Sequence, residues 1–140
     1  MLRINRLRVE INTVNGVYGI DESFNEGLNF VASKENTCGK SSILAAIYYC
    51  LGLEQILGGV AGIGGKVMTS AFKNVIDDDG TSWNVTESGA YLEISNGTEV
   101  ITIYRNIKAE NKDNRLVTVY FGKYDTIENP QIESEDFYVN

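Results

Sequence analysis

The residues with the clearest chemical potential in this chain are Lys34-Glu35-Asn36-Thr37-Cys38-Gly39-Lys40-Ser41. They match the phosphate-binding pattern G-x-x-x-x-G-K-[ST] at every fixed position except the first, where Lys34 stands for glycine. In such a loop, successive backbone N–H groups curl around a phosphate at the start of a helix, where their partial charges favour an anion. The expected cradle comprises Asn36, Thr37, Cys38, Gly39, Lys40, Ser41 and Ser42. Lys40 is the catalytic candidate, reaching the β- and γ-phosphates, and the Ser41 hydroxyl is a Mg²⁺ ligand, so the expected cofactors are ATP and Mg²⁺. A side chain at Gly39 would crowd the phosphate. The first position needs only a permissive turn, which Lys34 can supply at a cost of about 1 kcal/mol. The plainer alternative is a polar helix start capped by serine.

Such a loop must sit between a hydrophobic strand and a helix. Gly27 to Ala32 is the expected strand before it, and Lys40 to about Leu53, apolar on nearly every side, is the expected buried helix, fading at Gly52 and Gly58-Gly59. A first strand is expected from the near-alternation of Leu2, Ile4, Leu7, Val9 and Ile11. Farther on, Tyr91 to Ser95 and Thr98 to Ile107 flank Asn96-Gly97, a strong hairpin signal because a type I′ turn needs positive φ at both central residues. Leu116 to Phe121 adds a strand, giving an antiparallel meander. The expected organisation is one unit over residues 1–140: strands, loop and helix in 1–57, a connection in 58–89, and the meander with a polar tail in 90–140.

Composition narrows the function classes. With 43% hydrophobic and 22% charged residues the chain matches ordinary globular domains. Its net charge of -7 argues against a strongly basic nucleic-acid groove. Arg3, Arg6 and Arg8 form the best local basic cluster and read as cationic gatekeepers on a strand edge. Cys38 and Cys50, in a chain with no histidine, support neither a disulfide framework nor a Cys/His zinc site, which points to a reducing cytoplasm. The longest apolar run, Ile43 to Leu53, is too short to span a bilayer, so no membrane partner is expected.

Particular phrases resemble the ATPases related to SMC, RecN and the double-strand-break repair heads. Phe24-Asn25-Glu26-Gly27-Leu28-Asn29 is similar to the class phrase F-x-x-G-L-N. Asn36, Gly39, Lys40 and Ser41 fit its loop G-x-N-x-x-G-K-S, and Ser42 to Ile47 resembles its S-x-[IL]-x-x-A-[IL] helix start. The opening phrases also resemble ATPase subunits of bacterial anti-phage systems such as Lamassu. The resemblance implies an α/β fold, the N-terminal half of an ABC-type P-loop head, with a strand, loop and helix core beside the antiparallel meander. It also implies a Q-loop glutamine touching Mg²⁺, for which Gln131 is the candidate, a plain loop residue being the alternative. No L-S-G-G-[EQ] signature or Walker B strand is present, so the resemblance implies an N-terminal fragment. Its expected partners are the C-terminal half of the same head, a second ATPase head, and DNA reached through the complete assembly. The fragment alone is expected to bind ATP without efficient hydrolysis.

Two other classes stay open: a P-loop small-molecule or nucleotide kinase, and a regulatory module that binds nucleotide without turnover. A kinase would need an arginine-rich lid, and Arg105 and Arg115 are the only arginines in the second half. Asp77-Asp78-Asp79 reads as a solvated turn rather than a cation site. Cys38 reads as a small residue that fits its loop. Trp83 and Tyr91 read as core aromatics, while Tyr18 is the better candidate to stack on an adenine.

Overall fold

A computed structural model describes residues 1–32, 40–57, 72 and 74–139. Among these the chain folds as a seven-stranded antiparallel sheet with one α-helix against one face. The strands are β1 (Arg3–Thr13), β2 (Gly16–Ser23), β3 (Val75–Asp78), β4 (Thr81–Ser95), β5 (Val100–Lys108), β6 (Leu116–Tyr120) and β7 (Ser134–Tyr138), and α1 is Lys40–Cys50. The sheet order is β2-β1-β4-β5-β6-β7, with β3 paired to the outer part of β4.

Period-two alternation separates the faces. Leu7 of β1 lies opposite Leu92 of β4, Leu92 opposite Ile103 of β5, and Ile103 opposite Val119 of β6. This apolar row and its neighbours Val9, Ile11, Ala90 and Val117 form the inner face. Leu7 and Leu92 are wholly buried, worth about 1.5–3 kcal/mol each in surface removed from water. Onto this face α1 lays Ser42, Ala45, Ala46, Tyr49 and Cys50, a stripe at helical spacing whose two alanines let the backbone come close. The opposite side of the helix is open, with Leu44 half exposed, so α1 is covered on one face rather than buried all round. Its end is a Schellman cap: Gly52, at φ 70°, donates to Tyr49 O, and Leu53 N–H donates to Tyr48 O.

The α/β core of strand, phosphate loop and helix is corrected by this architecture. Every strand pairing among the described residues is antiparallel, and the expected strand at Gly27 to Ala32 is irregular chain. Leu28 and Phe30 are more than four-fifths exposed, and no strand among the described residues pairs with them. The reason is local. The Asn29 side chain accepts from Asn25 N–H and donates to the Asn25 and Gly27 carbonyls, satisfying backbone groups that a strand would have offered to a ladder. The strand preceding this stretch is β2 instead, pairing along β1 through the hairpin at Val14-Asn15. Gly19 of β2 crosses β1 so closely that a Cβ there would fall 1.8 Å from Val9 O.

Two other stretches differ from expectation. β3 and the first half of β4 lie where a connection is expected, joined by Asp79-Gly80, both at positive φ as a type I′ turn requires. At Asn96-Gly97 the hairpin forms with a four-residue loop, in which Asn96 Oδ1 accepts from Thr98 and Glu99 N–H and only Gly97 has positive φ. The polar tail supplies β7, an exposed edge strand whose charges take the place of an alternating apolar pattern.

Candidate functional site at the start of helix 1

Lys40 and Ser41 are the first two residues of α1, with Lys40 partly buried and Ser41 exposed, while Ser42 is buried against the sheet. The helix therefore presents the Ser41 hydroxyl to solvent at its positive end and uses Ser42 for packing. Asn36, Thr37, Cys38 and Gly39, with Lys34, lie outside the described residues.

The scaffold behind this helix start is strongly anchored. The 3-10 turn Glu54–Leu57 follows α1 and carries a carboxylate into the inner face, where Glu54 and Arg105 form a wholly buried pair. Arg105 Nη2 donates to Glu54 Oε1 at 2.7 Å and Nη1 to Oε2 at 3.0 Å, a bidentate fork. Nη1 also donates to Tyr49 O and Nε to Asn114 O, each at 2.7 Å, and the guanidinium lies 3.9 Å from the Tyr49 ring centroid. Tyr49 donates its hydroxyl to Asn106 O at 2.6 Å. One arginine from β5 thus ties together the last turn of α1, the turn after it and the β5–β6 connection. Burial pushes the Cys50 thiol up to about 12, so this cysteine is inert packing.

Gln131 stands apart from the helix start in the fold. It is exposed in the connection leading to the edge strand β7, with its N–H donating to Asn129 Oδ1, whereas α1 packs chiefly on β1, β4 and β5. Tyr18 is held by its own surroundings: its hydroxyl accepts from Asn15 Nδ2 and donates to Asp78 Oδ2 at 2.8 Å. Trp83 lies in β4 opposite Ile76 of β3. Asp77 accepts from Ser82 Oγ within that hairpin, and among the described residues no group of three His, Cys, Asp or Glu side chains is arranged to hold a metal ion.

The arginines are committed. Arg6 and Arg8 lie on β1, an inner strand rather than an edge, where Arg6 clasps Asp21 through two bonds and reaches Asp125, and Arg8 bonds Glu10 and Asp21. The Arg6 guanidinium, then Arg8, holds the Asp21 carboxyl down to about 2. Arg3 pairs with Glu26, and Arg115 pairs with Asp113. Of the second half's arginines, Arg105 is wholly buried and Arg115 is partly exposed beside Asp113.

Comparison with known proteins adds no family. No protein-family model, no curated protein and no solved structure matches this chain. The functional reading accordingly stands on the residues themselves. No helix among the described residues is long and apolar enough to cross a membrane.

The sequence signals missed two features. The Arg105–Glu54 pair spans 51 residues and has no local signature. The outward-facing row of Arg8, Tyr91 and Tyr104 could have been found from strand parity once the β1–β4–β5 register was known.

Proposed function

We propose that this chain binds the phosphates of a nucleoside triphosphate, ATP with Mg²⁺, at the start of α1. The observation that carries the reading is that Lys40, Ser41 and Ser42 of the sequence Gly39-Lys40-Ser41-Ser42 are the first residues of a helix whose C-terminal end is locked to the sheet. A phosphate there meets the positive end of the helix, the Lys40 ammonium and, through Mg²⁺, the exposed Ser41 hydroxyl. Ser42, on the inner face, helps fix the rotation of the helix so that Ser41 points outward.

Hydrolysis needs more than this. Charge neutralisation and positioning supply most of the rate in phosphoryl transfer, and the sequence holds no acid positioned in a Walker B pattern. The resemblance to SMC-like ATPases supports a partner that supplies the missing acid and a second head that closes the site, with DNA engaged through that assembly in the cytoplasm. The chain alone binds nucleotide and turns it over slowly.

Calorimetric titration with a non-hydrolysable ATP analogue tests the reading. Saturable heat is expected in the presence of Mg²⁺. Lys40→Ala should weaken binding by about tenfold or more, equivalent to one charge-assisted contact of ~1.5–3 kcal/mol. Ser41→Ala should weaken it only when Mg²⁺ is present. No heat at millimolar nucleotide would sink the assignment.

A further inference from the structure

Two Asn-Gly pairs cap hairpins of the sheet, Asn15-Gly16 between β1 and β2 and Asn96-Gly97 between β4 and β5, and all four residues are exposed. Such a pair has chemistry of its own. Glycine has no side chain to shield its backbone nitrogen, which can reach the side-chain amide carbon of the preceding asparagine and close a five-membered ring. Which pair reacts depends on what holds each asparagine.

Asn96 is held at its carbonyl. Its Oδ1 accepts from Glu99 N–H at 2.8 Å, and from Thr98 N–H and the Thr98 hydroxyl at 3.1 Å each. The amide is thereby committed to the residues ahead of it, and these bonds must open before it can fold back on Gly97. Asn15 Oδ1 takes no hydrogen bond among the described residues, and only Nδ2 is engaged, donating to the Tyr18 hydroxyl at 2.6 Å. Its surroundings are open: Val14 is 82% exposed, and a Cβ added at Gly16 would meet nothing within 4 Å. A ring closing there has room. Asp79-Gly80 shares the spacing but has no amide nitrogen to expel.

Tyr18 makes the change matter. Its hydroxyl accepts from Asn15 and donates to Asp78 Oδ2 at 2.8 Å, tying the tip of the β1–β2 hairpin to the hairpin of β3 and β4. A phenol has one proton to give. With a carboxylate at position 15 in place of the amide, two acids compete for that proton and repel each other.

We propose that Asn15 is a site of spontaneous deamidation, and that the reaction severs the Tyr18 tie between the two hairpins. Gly16 N attacks Asn15 Cγ and loses its proton, the Cγ–Nδ2 bond breaks, and ammonia departs. Water then opens the resulting succinimide at either carbonyl, leaving aspartate or, with one more methylene in the backbone, isoaspartate. Nothing is oxidised or reduced, and water is the only co-reactant. The site shares no residue with the start of α1 and holds whether or not nucleotide binds there.

Ageing the full chain at mildly alkaline pH, followed by fragmentation mass spectrometry of its peptides, tests the reaction. Position 15 should convert about tenfold faster than position 96, the factor expected when the side-chain bonds of Asn96 must open first. Isoaspartate should appear alongside aspartate, with ammonia released in equal amount. Conversion at position 96 as fast as at position 15 overturns the proposal. Amide NMR tests the consequence. The Tyr18 and Asp78 amides of the aged chain should shift as they do in Asn15→Asp, with inner-face amides unchanged to certify the fold. In a Tyr18→Phe background, Asn15→Asp should lose most of its effect on Asp78, because no shared proton remains to compete for. An Asp78 amide that ignores Asn15→Asp, or responds equally with and without the Tyr18 hydroxyl, overturns the tie.

Discussion

The two faces of this sheet are built from the same strands and obey different rules. On the inner face, Leu7, Leu92 and Ile103 pack under α1, and the one arginine admitted is neutralised by Glu54 with no exposed surface on either side chain. On the outer face, one residue along each strand, Arg8, Tyr91 and Tyr104 meet solvent-accessible carboxylates, and ion pairs are shared and partly exposed. A charge inside is tolerated only when completely paired, because desolvation is costly. Outside, water covers the shortfall. The inner face therefore fixes the fold and the attitude of α1, and the outer face keeps its charges within reach of water.

The largest effect should come from breaking the inner pair. Glu54→Ala leaves the Arg105 guanidinium buried without its carboxylate and should cost about 3–5 kcal/mol, read as a lowered urea midpoint. Replacing both partners, Glu54→Leu with Arg105→Met, should recover most of that loss. If Glu54→Ala costs no more than an exposed ion pair, the distinction between the faces fails.

A neighbouring pair of residues sharpens the comparison. Leu92, wholly buried, should cost about 2–5 kcal/mol on replacement by alanine. Glu93, the next residue, accepts from Tyr124 N–H at 3.0 Å and Asn5 Nδ2 at 3.3 Å on the outer side. Its replacement by alanine should cost about 0.5–1.5 kcal/mol. Chemical denaturation of the two variants side by side measures the ratio.

The smallest effect is pH-dependent. Asp21 has its pKa lowered to about 2, first by its hydrogen bond to Arg6. Its contribution is therefore present above the ordinary carboxylate pKa and lost as the pH falls from about 4 through about 2. Because the Asp21 side chain is 36% exposed, solvent screening should hold that contribution to about 1 kcal/mol or less. Wild type should lose stability relative to Asp21→Asn over that window and nowhere above it. A difference unchanged from pH 6 to pH 2 would contradict the pairing.

Strand parity was legible in the sequence wherever one face was apolar. β1, the second half of β4, β5 and β6 all declare themselves by alternation, and α1 by its run from Lys40. The elements that escaped lack that contrast. β2 and β7 are exposed edge strands of largely polar residues, and Leu28-Asn29-Phe30 has the apolar look of a strand while Asn29 spends its side chain closing a turn. This last misreading carried the fold class with it, since an α/β core needed that strand. Of the candidate site, the helix start was legible because G-K-S is a local signal. The Arg105–Glu54 clamp and the outward-facing Tyr91–Tyr104 pair were not, because each depends on cross-strand register and long-range contact.

The central claim is that phosphate binding belongs to the start of α1, and amide chemical-shift mapping with a Mg²⁺-bound non-hydrolysable ATP analogue tests it most directly. The account predicts saturable shifts centred on the amides of Lys40, Ser41 and Ser42, abolished or strongly weakened in Lys40→Ala, while the Gly89 and Tyr104 amides on the outer face stay still. Shifts centred on the outer face, or helix-start shifts that persist unchanged in Lys40→Ala, would contradict it.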